Sequence, residues 1–233
     1  DEASHRRGVE TIHSLVGLPK AVIAGDWLFT KGFGLGGCYE ENIVRILAQY
    51  CADLAVSEFE QLDHVLDLTT SPEDYLRIVK GKTAGPFGAG CYAAGLIAGL
   101  SDVQAVSLKH FGMELGIAFQ LVDDLLDLRG DERMGKPRGA DVIEGKMTLP
   151  LIHALTLSHG SQRVRLAELI EDFSDEDFDE LMSLLNRSDS MKYTEILVKN
   201  HLERAVSNLD TFVDSDAKQH MIGITDYVMN RHM

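Results

Sequence analysis

Apolar residues recur every three or four positions through almost the whole chain, and the strict alternation of a half-buried strand is scarce, so the pattern predicts helices. The periodic stretches fall near 18–35, 40–58, 72–83, 86–99, 102–128, 149–159, 161–172, 175–186, 190–212 and 215–230, with short polar turns between them. Three starts are punctuated. Ser71-Pro72-Glu73-Asp74, Ser101-Asp102-Val103-Gln104 and Ser174-Asp175-Glu176-Asp177 each set a serine three residues before a side chain able to reach back to the serine amide, the arrangement of a capping box. Pro72 stands where a first turn tolerates proline. No repeat, low-complexity tract or flexible linker divides the series, so one all-α domain is expected over residues 1–233. Its one long irregular segment is Arg129 to Lys146, where glycines, Pro137 and alternating charges break the period.

Composition then narrows the partners. With 37 acidic residues against 22 Lys and Arg, a net charge of -15 argues against a non-specific grip on nucleic acid or an anionic membrane, so any anion must be held by a local cluster. Three scattered cysteines, Cys38, Cys51 and Cys91, make neither a disulfide framework nor a zinc set, which points to a reducing, cytoplasmic setting. The uncharged run from Thr83 to Ser101 has 19 residues, but its five glycines and one proline suit a buried helix in close contact with a neighbour better than a membrane span. No secretory signal is present. The nine histidines form no ligand spacing and read as structural or surface groups.

The stretch 102–128 carries Asp123, Asp124 and Asp127 near its end, in the run FQLVDDLLDL. Four residues advance a helix by about 400° and about 6 Å, so Asp123 and Asp127 share a face one turn apart, with Asp124 about 100° round. Like charges at that spacing repel, the more so among Phe119, Leu121, Val122, Leu125 and Leu126, and a bound cation removes the cost. Hard carboxylate oxygens suit magnesium, which is usually held by one or two carboxylates plus substrate phosphate oxygens. Phosphate in turn needs cations, and Arg6, Arg7, Lys82, Lys136 and Lys146 are the candidates. Lys82-Thr83 lies just before Pro86, which has no amide to return to the Lys82 carbonyl four residues back. Two outcomes are open: the helix breaks there, or it runs on and leaves that carbonyl and the Thr83 hydroxyl as oriented dipoles able to stabilise a developing positive charge.

Together these motifs resemble the trans-isoprenyl diphosphate synthases. Phe119-Gln120 followed by Asp123-Asp124-Leu-Leu-Asp127 is similar to that family's second aspartate-rich motif; Gly135-Lys136, Gly139-Ala-Asp141 and Gly145-Lys146-Met-Thr148-Leu-Pro150 resemble the loop after it. Lys82-Thr83 resembles the family's Lys-Thr pair, and Ala24-Gly25-Asp26-Trp27-Leu28 the helix after the first aspartate-rich motif. Arg6-Arg7-Gly8 stands where the family has Arg-Arg-Gly, so the resemblance implies that Asp1 corresponds to the last aspartate of that first motif and that the chain would be a synthase lacking its N-terminal part.

The resemblance implies an all-α, isoprenoid-synthase-like bundle around a central cavity, and head-to-tail condensation of isopentenyl diphosphate with an allylic prenyl diphosphate through an allylic carbocation. It implies Mg2+ on Asp123 and Asp127, with Asp124 assisting through water and Asp1 opposite. Arg6, Lys82 and Lys136 would hold the allylic diphosphate, Arg7 the isopentenyl diphosphate, and Lys146 would help close the mouth. The Lys82 carbonyl, Thr83 and Gln120 would steady the cation. A homodimer is expected on the same ground. Trp27 and Phe33 are expected in core packing rather than in the tunnel, and Glu58 and Gln61 are given no catalytic role. The alternatives are a non-catalytic partner subunit and a prenyl-diphosphate-binding protein of the same fold.

Overall fold

The structure, a computed structural model, describes residues 4–6, 8–130 and 138–231, Arg6 by its backbone alone. A two-stranded antiparallel hairpin, β1 (His5–Arg6) and β2 (Val9–Glu10), leads into α1 (Ile12–Val16), α2 (Leu18–Gly36) and α3 (Glu41–Asp63). Next come α4 (Pro72–Val79), a π turn (Lys80–Ala84), α5 (Gly85–Ile97) and α6 (Asp102–Arg129). A short α7 (Ala140–Ile143) precedes α8 (Leu149–Leu157) and α9 (Gly160–Glu171). A 3-10 turn (Asp175–Asp177), α10 (Phe178–Arg187), α11 (Ser190–Ser207) and α12 (Asp216–Asn230) complete the order. Among the described residues no helix is long and apolar enough to cross a membrane.

All three capping boxes are present. At α4 the Asp74 amide donates to the Ser71 hydroxyl at 3.1 Å, while the Asp74 carboxylate accepts from the Ser71 amide, also at 3.1 Å. Ser71→Ala is therefore expected to cost about 1 kcal/mol, read as a lower urea midpoint at unchanged slope; an unchanged midpoint would show that the box does not anchor this helix. The expected elements at 72–83 and 86–99 do not separate at Pro86. They join through the π turn, in which the Gly85 amide reaches back five residues to the Lys80 carbonyl. The hairpin and α1 escaped the periodic reading because segments of two to five residues are too short to show a period.

α6 is the axis of the bundle, packed between α5 and α11, with α8 and α12 completing its surroundings. Leu121, Leu125 and Leu128 are fully buried along one of its faces, against Leu151 and Ile152 of α8 and Val198 and Leu202 of α11. The opposite face is made of glycine. A Cβ on Gly116 would lie 2.5 Å from the Ala84 Cα, and one on Gly112 2.5 Å from the Phe87 carbonyl oxygen. The backbones of α6 and the π turn thus touch directly, the close contact expected of the uncharged run.

α2 behaves differently. None of its residues is buried, and Trp27, expected in the core, is 60% exposed, with Phe33 at 41%. Phe33 sits edge-on to Phe29, 4.9 Å between ring centres, and both line a cavity of about 330 Å³ with Leu28, Val44, Leu47 and Cys51, between α2 and α3.

Candidate active site

A second cavity, about 490 Å³ and more polar, lies where the N-terminal hairpin, α1, α3, α4, the π turn, α6 and the segment after α7 converge. It brings together Lys82, Thr83, Gln120, Asp123, Asp124 and Lys146, residues up to 64 positions apart in sequence. Asp1, Arg7 and Lys136 lie outside the described residues, and of Arg6 only the backbone is described, paired with Val9 in the hairpin.

The helical step decides what each aspartate meets. Asp123 lines the cavity half-buried, and no described residue donates a hydrogen bond to it. Asp124, one step round α6, is 2% exposed and faces α4, where the Tyr75 phenol donates to Oδ2 at 2.5 Å; one turn back, the Gln120 amide donates to Oδ1 at 2.9 Å. Burial pushes the Asp124 carboxyl up to about 8 against the pull of those two donors, with Asp141 and Asp123 adding to the rise. The same burial, with the Asp124 charge beside it, drives the Tyr75 phenol well above its ordinary value. The sequence expects Asp124 to assist a metal through water; the partners the structure gives it are Tyr75 and Gln120. Asp127 shares the Asp123 face but engages the turn before α7: its Oδ2 accepts from the Asp141 amide at 3.1 Å, and its carbonyl from the Gly139 amide at 2.9 Å. It is not among the cavity-lining residues.

The cations are held by partners. Lys82 Nζ donates to Gln61 at 2.6 Å and Glu58 at 3.0 Å, so the polar residues of α3 that the sequence left without a role are the ones that aim this lysine. Lys146 Nζ lies 2.6 Å from Glu144 and 2.9 Å from Asp141. Burial lowers the Lys146 proton affinity, but those two carboxylates outweigh it and hold the ammonium charged. Thr83 donates to the Gln120 carbonyl at 3.0 Å, joining the π turn to α6.

Tyr75, Asp141 and three histidines read as structural or surface groups, His5, His13 and His64, also line the cavity and were missed. The signal for Tyr75 was available: it precedes Lys82 by seven residues, two helical turns, and so shares its face. Asp141 stood within the quoted loop motif. His64 shows no spacing that marks it; its Nδ1 lies 2.9 Å from the Thr70 hydroxyl.

Among the described residues no group of three or more His, Cys, Asp or Glu side chains forms a metal cage. Asp123, which faces the cavity, fits an ion held by one or two carboxylates together with substrate oxygens.

Comparison with known proteins follows this geometry. The family model described as polyprenyl synthetase matches residues 1–186. An octaprenyl diphosphate synthase from Haemophilus influenzae is 34% identical over 100% of this chain and 71% of its own length. A crystal structure of a decaprenyl diphosphate synthase from Rhodobacter capsulatus superposes with a TM-score of 0.92 at 34% identity, over 100% of this chain and 73% of that one. A polyprenyl synthase from Caulobacter crescentus, crystallised with calcium and isoprenyl diphosphate, gives a TM-score of 0.92 at 31% identity, over 99% of this chain and 71% of its own.

Proposed function

The chain belongs to the polyprenyl synthetase family, and from that premise we propose how its cavity performs prenyl transfer. The protein is a polyprenyl diphosphate synthase, a prenyltransferase that condenses isopentenyl diphosphate head-to-tail with an allylic diphosphate and releases diphosphate. The observation that carries the residue assignments is the convergence of Asp123, Lys82 and the Thr83–Gln120 pair on one cavity.

The allylic diphosphate lies with its phosphates toward Asp123 and Lys82 and its chain toward the apolar side of the cavity, near Ile78 and Val79. Lys82, already aimed by Glu58 and Gln61, exchanges those contacts for phosphate oxygens. Arg6 and Lys136 assist, Arg7 holds the isopentenyl diphosphate, and Lys146 draws the segment after α7 over the mouth. A divalent cation, magnesium in our reading, would neutralise the leaving diphosphate when bound by Asp123 and Asp127, with Asp1 facing them. As the carbon–oxygen bond breaks, the Thr83 hydroxyl, the Gln120 carbonyl and the Lys82 carbonyl present fixed dipoles to the allylic cation, and such preorganised dipoles need no rearrangement at the moment of reaction. The isopentenyl double bond attacks, a proton leaves to the departing diphosphate, and the product is five carbons longer. No side chain is needed as a dedicated base.

The testing experiment incubates the protein with isopentenyl diphosphate and allylic primers of increasing length, and sizes the products by mass spectrometry. Elongation in five-carbon steps, abolished by a chelator and restored by magnesium, is expected. Binding of the diphosphates without release of diphosphate would instead mark a binding protein; turnover that appears only with a second, different chain would mark a partner subunit. We place the protein in the cytoplasm, in line with its unpaired cysteines. We also assign the apolar face of α2 to a second copy of the chain, since Leu28, Phe29 and Leu35 are all more than half exposed there. Equilibrium sedimentation is expected to give twice the monomer mass, and Leu28→Glu to return it to one; a monomer mass for the unchanged protein would remove the homodimer, and a variant still at twice that mass would remove α2 from its interface.

A further inference from the structure

We propose that Tyr75 and Asp124 are positioning residues that fix the direction of a hydrogen-bond chain ending at Thr83, so that the Thr83 hydroxyl turns lone pairs rather than its proton toward the reacting prenyl carbons. This rests on the assignment of Thr83 to the allylic cation given above.

The chain crosses three elements. The Tyr75 phenol on α4 donates to Asp124 Oδ2 at 2.5 Å, Gln120 Nε2 on α6 donates to Asp124 Oδ1 at 2.9 Å, and Thr83 Oγ1 in the π turn donates to Gln120 Oε1 at 3.0 Å. Each link has one permitted sense once Asp124 is in place. The phenol proton occupies Oδ2, which leaves Oδ1 as the oxygen that accepts from Gln120. An acceptor must meet the nitrogen of the Gln120 amide, so the amide oxygen faces away from Asp124, toward Thr83. A threonine hydroxyl has a single proton, and here it is committed to Gln120. The lone pairs that remain are what Thr83 can offer to the cavity it lines.

Without Asp124 the sense is lost. A primary amide turned by 180° occupies the same space with nitrogen and oxygen exchanged, and Gln120 would then donate to Thr83. The threonine proton would be free to point into the cavity, placing the positive end of its dipole against a developing cation. Tyr75 and Asp124, buried at 6% and 2% exposure, act through Gln120 and decide the sign of the dipole that Thr83 presents. Asp124 and Gln120 are one turn apart on α6, so the amide and its anchor move as a unit.

The test measures kcat and KM for Asp124→Asn and Tyr75→Phe, each alone and in a Thr83→Val background, with magnesium and both diphosphates. Asparagine can present either end to Gln120, and phenylalanine keeps the ring in the core while removing the donor. Each single variant is expected to lower kcat by about tenfold while KM for both diphosphates stays within about twofold, and each should add less than about twofold once Thr83 is already valine. Equal losses of kcat in both backgrounds, or losses confined to KM, would overturn the proposal and leave the pair with a packing role. If Thr83→Val by itself keeps full kcat, the assignment of Thr83 falls first, an outcome distinct from a slow Thr83→Val enzyme that shows no coupling. Tyr75→Phe is the variant least able to disturb the fold, and its thermal midpoint verifies that the kinetic comparison is made on a folded protein.

Discussion

An Asp123→Ala protein is expected to keep its fold and lose prenyl transfer by at least about a thousandfold, or about 4 kcal/mol of transition-state stabilisation. Asp123 faces the cavity and receives no hydrogen bond from a described residue, so its removal leaves no protein group unpaired while it takes away the carboxylate assigned to the metal. Asp124→Ala is expected to fail in the other way. It strands the buried Tyr75 hydroxyl and leaves the Gln120 amide without its acceptor, and each orphaned group costs about 1–3 kcal/mol. In a chain of this size a loss of about 1 kcal/mol lowers the thermal midpoint by about 2–4 °C, so a drop of several degrees should accompany Asp124→Ala and not Asp123→Ala. Scanning calorimetry beside a turnover assay separates the two. Matching losses of midpoint and of rate in both variants would mean that the two neighbouring aspartates do not have the different surroundings described here.

The second large effect is expected at Gly116. A side chain there collides with the backbone of Ala84, which cannot move as a flexible side-chain end can, so Gly116→Val must push the π turn away from α6. Overpacking of this kind costs about 1–3 kcal/mol. The functional cost should exceed the loss of stability, because the displaced turn carries Lys82 and Thr83, and the Thr83–Gln120 bond spans the same gap. The variant should melt several degrees lower and turn over at least about a hundredfold more slowly at temperatures where it is fully folded. A protein with normal rates and melting would show that helix contact at this point does not set the geometry of the site.

Much of this arrangement was legible before any coordinates. The long helices announce themselves because a buried face repeats at the helical period, and the three capping boxes mark their starts at Ser71, Ser101 and Ser174. Asp123 was singled out by its acidic run on an apolar helix, Lys82 and Thr83 by their place before Pro86 and Gln120 by the family resemblance, and the structure brings the four to one cavity. Their partners were not legible. Glu58 and Gln61 are ordinary polar residues on α3, and only the tertiary contact with Lys82 gives them a task. The partners of Asp124 were not legible either, because rotation about a helix axis says which residues differ in direction, but not which neighbour waits in that direction. The continuity through Pro86 was undecidable for a similar reason: the backbone of α6 lies against the turn at Gly116 and against the start of α5 at Gly112, contacts that chain position does not reveal.

The unburied state of α2 also bears on how the molecule opens. A helix that places no residue in the core adds little to the free energy that holds the bundle together, so it can unwind while α4 to α11 remain intact. Amide hydrogens of 18–36 and of 117–128 consequently report on different equilibria. Exchange along α6 tracks global unfolding of the bundle, whereas exchange along α2 tracks how often its apolar side is covered, and the ratio between the two is a measure of that coverage in solution.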